Sequence, residues 1–264
     1  MKGRSFSPYQ SEQDKRQRII NVFATQSFRN QADRDYIAAR LACRHELIPQ
    51  FLWASQQAIE KYLKAILLYN RIVAKTVGHD LLAALRLTSG LTFRIDLSER
   101  TREFIDHLAT YGEYRYIDVP YWVDGHLLVD LDLAVWELRR YCQVLDVFGK
   151  ALPAAENRLL AKAQADVKKS DDEPRHKFRI HGGFLEKILE APGHPCRDAL
   201  VWQNASYGVR SRRTVRVARH TQAENPILVH FPEVLDELLK YIFMPKKVAD
   251  QFRSQLLKLK GDSK

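Results

Sequence analysis

The sequence predicts an all-α protein: an antiparallel helical bundle, then a linker, then a smaller, mostly helical C-terminal unit. Three observations lead there. Apolar residues recur at spacings of three and four through most of the N-terminal half, while period-two alternation is nearly absent. The segment 48–70, "IPQFLWASQQAIEKYLKAILLYN", carries one unbroken apolar stripe over about six helical turns. Residues 149–175 then lose the large apolar residues and end in "KKSDDEP", the composition of a solvated linker.

The elements follow in order. Between Asp33 and Leu47, Tyr36, Ile37, Leu41 and Cys43 recur at helical spacing, and Pro49 marks a break before the next helix. In that second helix Ile48, Leu52, Ile59, Tyr62, Leu63, Ile66 and Leu67 form the apolar stripe. Gln56, Gln57, Glu60, Lys61 and Lys64 lie to the polar side, with Glu60 and Lys64 at the favourable i,i+4 spacing. A short helix starts near His79, where Asp80 suits a helix N-terminus. In "DLSERTREFIDHLATYGEYRY", Asp96 and Glu99 have capping-box spacing ahead of Phe104, Leu108 and Tyr111. "VPYWVDG" interrupts the pattern, and 126–148 reads as one long amphipathic helix from Leu128 to Phe148. The resulting division is an N-terminal extension (1–30), a bundle (31–150), a linker (151–175) and a basic C-terminal unit (176–264).

Composition narrows the setting. The chain has 264 residues, is 45% hydrophobic and carries a formal charge of +10. Residues 156–264 hold 21 Lys/Arg against 14 Asp/Glu, and the earlier part 21 against 18, so most of the positive charge is C-terminal. No apolar run reaches membrane-spanning length and no apolar core follows the N-terminal charges, so neither a membrane span nor a secretory signal is expected. Cys43, Cys142 and Cys196 are odd in number and far apart, which fits a reducing cytoplasm. His176 and His181, or His194 and Cys196, lack the tight repeated spacing of zinc ligands; no metal and no cofactor is expected.

"DRDYIAARLACRHEL", "ASQQAIEKYLKAILL", "GHDLLAAL" and "YGEYRY" together resemble the HEPN family of helical bundles over about residues 31–145. Gln56, Gln57, Ala58, Glu60, Lys61, Leu63, Lys64 and Ala65 are the most specific stretch. The resemblance implies a homodimeric helical bundle. It also implies an RNA-related or nucleotide-related role, either as a metal-independent ribonuclease of toxin or antiphage type or as a noncatalytic binder. The cutting members carry Arg-x4–6-His late in the bundle, with a polar residue after the arginine. Here Arg40 and His45 have that spacing, but they precede the Gln-Gln-Ala-x-Glu-Lys helix and Leu41 follows the arginine. At the later position stands Arg115, whose next histidine is His126.

Arg40, His45 and Arg115 are thus the candidate catalytic residues, and the departures favour a noncatalytic protein. Five positions along one helix turn the direction by roughly 140°, so Arg40 and His45 of one chain do not converge on one phosphate. Arg40 borders the apolar face, where an unpaired charge is costly, and the expected partner is Glu60 on the adjacent helix. A second candidate is "YGVRSRRTVRVARH". Arg210, Arg212, Arg213, Arg216 and Arg219 lie in a stretch with no acid between Asp198 and Glu224, near Trp202 and Tyr207. Arginines beside aromatics suit phosphates and unstacked bases. The expected partners are a second copy, RNA or a nucleotide, and a cognate protein. A dimeric module that only presents its C-terminal unit to a protein is the alternative function.

Overall fold

The computed structural model describes residues 12–111, 121–124, 126–146, 154–208, 221–224 and 227–261. Helix α1 (Glu12–Phe23) runs through a π-helical turn (Ala24–Arg29) into α2 (Asn30–Arg44). Glu46, at φ 59°, turns the chain in the left-handed region, and Leu47 N–H closes the helix end on Ala42 C=O. Pro49 then sits in the first turn of α3 (Ile48–Tyr69), where its missing N–H costs nothing. A short α4 (Leu81–Leu87) begins at Asp80, whose carboxylate accepts from Ala83 N–H at 2.8 Å. Helix α5 (Glu99–Tyr111) is capped by Ser98, whose Oγ accepts from Thr101 N–H. Asp96, expected to do this, instead donates its N–H to the Tyr141 hydroxyl and accepts at its C=O from Arg140.

Helix α3 is the central post: α2, α4, α5 and α6 (Leu127–Arg139) all pack on it. Ala58, Ile59, Tyr62, Leu63, Ala65, Ile66 and Leu67 on it are completely buried. The long helix expected over 126–148 stops at Arg139. Adjacent positions on an α-helix point about 100° apart. Ending the helix there lets Arg139 and Arg140 both turn inward, to different acids.

The stretch read as a linker contains helix α7 (Ala154–Lys169). Its residues are good helix formers, and Leu160, Ala163 and Val167 form a thin stripe, of which Ala163 and Val167 touch the main core. Helices α8 (Phe184–Glu190) and α9 (Arg197–Val201) lie on the bundle, and Leu185, Ile188, Ala199, Leu200 and Tyr207 belong to the same core as α3. A separate small core forms beyond residue 226, where α10 (Ile227–His230), α11 (Leu235–Leu238) and α12 (Lys246–Gly261) enclose Leu228, Leu235, Met244, Val248, Ala249 and Phe252. One two-stranded ribbon interrupts the all-α architecture among the described residues. β1 (Tyr121–Asp124) pairs antiparallel with β2 (Thr221–Glu224), Tyr121 opposite Glu224 and Asp124 opposite Thr221. The arginine-rich stretch 209–220 lies outside the described residues.

Candidate functional site

The centre of the molecule is polar. Asp33, Tyr36 and Arg40 share the inner face of α2, and Asp132 and Arg139 share that of α6. Asp33 and Arg40 stand seven residues apart, as do Asp132 and Arg139, and the two helices pair them in opposite order. Arg40 is bound to Asp132, and Arg139 Nε is 2.8 Å from Asp33 Oδ1. Seven residues are two helical turns, so each helix offers one acid and one base on the same line.

The chain beyond the bundle completes both arginines. Arg40 Nε donates to Ala199 C=O at 2.7 Å and its Nη2 to Trp202 C=O, while Nη1 holds Asp132. Arg139 forms a fork with Glu186, both bonds 2.7 Å, in addition to its bonds to Asp33. The Tyr36 hydroxyl donates to Asp132 at 2.6 Å and accepts from Asn204 Nδ2 at 2.8 Å. Tyr62 donates to Asp33 at 2.6 Å. Gly183 is required by this packing, because a Cβ there would collide with the Glu186 carboxylate.

Electrostatics match the geometry. Burial disfavours the charged form of Arg40, but Asp132 and Tyr36 together outweigh it and its pKa lies above the ordinary arginine value. Arg139 is raised further, burial being outweighed by Asp33 and Glu186. Burial pushes the Glu186 carboxyl up, and the Arg139 charge and its hydrogen bonds overcome this and hold it to about 2. Burial, then the neighbouring acids, put Tyr36 and Tyr62 well above the usual phenol range.

Arg40 and His45 therefore part company. Arg40 is 1% exposed, with all of its guanidinium nitrogens donating within the core. His45 is the exposed C-cap of α2. Leu41, placed by its spacing on the apolar face, is 39% exposed. Arg44 stacks over the Trp202 ring, its Cζ 5.4 Å from the centroid. The expected Arg40–Glu60 pair is replaced by Arg40–Asp132, because the inner face of α2 at this level looks at α6. Glu60 instead takes Lys64 Nζ at 2.6 Å and His79 Nδ1 at 3.0 Å. Arg115 and Arg210, Arg212, Arg213, Arg216 and Arg219 lie outside the described residues.

Sequence reasoning missed Asp33, Asp132, Arg139, Glu186 and Asn204. A signal for the first three was available: Asp-x6-Arg occurs in both "DRDYIAAR" and "DLAVWELR". Elsewhere, a groove of about 1350 Å³ runs between α1, α7 and residues 177–190. Lys162, Lys177 and Lys187 line it without ion-pair partners among the described residues, beside acids such as Asp166 and Glu190. No group of His, Cys, Asp and Glu among the described residues could hold a metal ion, and no helix there is long and apolar enough to cross a membrane.

No curated protein and no solved structure matches the chain. The family model of the HEPN domain matches residues 25–131, from the π-helical turn ahead of α2 into α6. Over those residues the bundle is similar to the HEPN domain.

Proposed function

We propose that this HEPN-like protein is noncatalytic and binds nucleic acid through its arginine-rich C-terminal region, in a reducing, cytoplasmic setting. The observation that carries the noncatalytic part is the engagement of Arg40. A phosphate-binding arginine needs guanidinium N–H groups free to form a fork with the substrate. Arg40 spends them on Asp132, Ala199 and Trp202 inside the core. His45, exposed at a helix end, has no positioned partner among the described residues with which to share proton transfer and phosphate holding.

The binding part is supported by charge. Arg210, Arg212, Arg213, Arg216 and Arg219 lie in an acid-free stretch, and residues 156–264 carry a net charge of +7, 21 basic less 14 acidic residues. A stretch of that charge binds phosphates with an affinity that falls as salt rises, because the gain from counterion release shrinks.

The test uses a fluorescent single-stranded RNA. Anisotropy should report binding that weakens steeply between low and moderate salt, and that Arg213→Glu with Arg216→Glu weakens further. The RNA should stay intact in EDTA. Salt-independent affinity would sink the binding reading. Cleavage that persists in EDTA and disappears in His45→Ala would replace the noncatalytic reading with the ribonuclease.

A further inference from the structure

We propose that Arg44 and Trp202 form a stacking platform for a base of single-stranded RNA. The inference rests on the nucleic-acid reading and gives it a contact outside the arginine-rich stretch.

The two side chains come from different parts of the chain. Arg44 ends α2, inside the HEPN-like segment, and Trp202 follows α9, beyond it. The Arg44 guanidinium lies over the indole, its Cζ 5.4 Å from the ring centroid. Arg44 is exposed and forms no ion pair among the described residues. Glu46 stands two positions on and Asp198 lies in α9, yet the guanidinium stays with the ring. Trp202 is half-buried and packs against the main core, so the guanidinium is the outer layer of the pair. A planar cation held over an aromatic ring keeps its N–H groups for a phosphate and its outer face for an unstacked base.

The backbone beneath the indole is fixed more firmly than a casual surface pair requires. Trp202 C=O accepts from the buried Arg40, and Trp202 N–H donates to Asp198 C=O at 2.9 Å. Gln203 follows at φ 50°, in the left-handed region that side chains other than glycine rarely adopt. Asn204 closes the turn. Its Nδ2 donates to Leu200 C=O and to the Tyr36 hydroxyl, and its Oδ1 accepts from the N–H groups of Ser206 and Tyr207. Strain of this kind persists only where its surroundings over-determine it, and it concentrates at ligand sites. Arg40 is thus a positioning residue for Trp202 while remaining a cation of the core.

The same turn leads into the basic stretch. Gly208 N–H closes on Asn204 C=O at 3.3 Å, and Arg210 is two residues further along the sequence. The platform therefore precedes the first of those arginines by eight residues, at a fixed point on the bundle. Charge draws the strand in, and a stacked base anchors it.

The test compares, by anisotropy of the full chain, a fluorescent single-stranded RNA and the same strand lacking its bases. Arg44→Lys keeps the charge and removes the plane. It should bind the RNA about tenfold more weakly, the order of one base stack, and bind the abasic strand as the wild type does. Arg34→Lys removes another guanidinium that α2 lays over a ring, that of Phe184 at 4.4 Å, and should change neither affinity. RNA should also quench the tryptophan fluorescence, and Trp202→Phe should remove most of the quench. Arg44→Lys with wild-type affinity for RNA, an equal loss on both strands, or a quench undiminished in Trp202→Phe overturns the platform and leaves the nucleic-acid reading standing. A wild type that binds neither strand overturns both.

Discussion

The two cores of this chain are built on opposite principles. The main one surrounds α3 and holds charge at its centre, where Arg40, Arg139, Asp33, Asp132 and Glu186 are all nearly or fully buried and mutually paired. The small one, within 227–261, has a core of apolar side chains, and among the described residues Tyr241 and Phe243 stand outside it, exposed. A buried ion pair adds little net stability over an apolar pair of the same shape, but breaking it is costly, because the survivor stays charged and dry. The main core is thus specified by charge geometry, which fixes helix register and the docking of residues 180–207. The small core is specified by little beyond apolarity.

The sharpest way to break this contrast is Arg139→Met. It strands two carboxylates, Asp33 and Glu186, and should cost about 3–5 kcal/mol in urea unfolding. A loss below about 1 kcal/mol would put the specification of the main core in its apolar residues alone. In the small unit, Phe252→Ala removes a large part of six buried side chains, worth about 3 kcal/mol locally. Hydrogen exchange should rise across 227–261 while amides of α3 keep their protection. A simultaneous loss in α3 would show that the cores are one cooperative system.

Acid should also separate the regions. Glu186 sits near 2 in the folded chain against an ordinary 4.5, so its contribution is complete above about pH 4.5 and disappears as the pH falls towards 2. The loss is roughly 3 kcal/mol. Glu186→Gln should flatten stability over that interval, and an unchanged slope would mean that other carboxylates govern acid unfolding. The smallest effect is expected from His45→Ala, within about 0.5 kcal/mol by thermal melting, since the ring is exposed at a helix end. A shift of several degrees would give His45 a partner that this account does not.

Much of the bundle was legible in the sequence. The α3 stripe, the break at Pro49, the Asp80 cap and the Glu60–Lys64 pair all rest on local spacing, and all occur. The failures are tertiary. Spacing placed Leu41 inside and Arg40 at the border, whereas Arg40 is inside because Asp132 and the carbonyls of Ala199 and Trp202, 92 or more residues away, receive it. The end of α6 at Arg139 has the same origin: continued apolar periodicity yields to two inward arginines with separate acids. Helix α7 was hidden for a simpler reason, its stripe being only three residues, Leu160, Ala163 and Val167, among charges. Of the candidate site, Arg40 and His45 were found from spacing, but their separation into core and solvent was not readable from a five-residue interval.

The central claim is that Arg40 is a structural cation paired with Asp132. A double-mutant cycle in urea tests it directly, with Arg40→Met, Asp132→Leu and the two combined. Each single variant should lose about 3–5 kcal/mol, and the double variant should lose less than the sum by about 2 kcal/mol or more, since it strands neither charge. Strictly additive losses, or an Arg40→Met protein as stable as wild type, would contradict the pairing and return Arg40 to the candidates for phosphate binding.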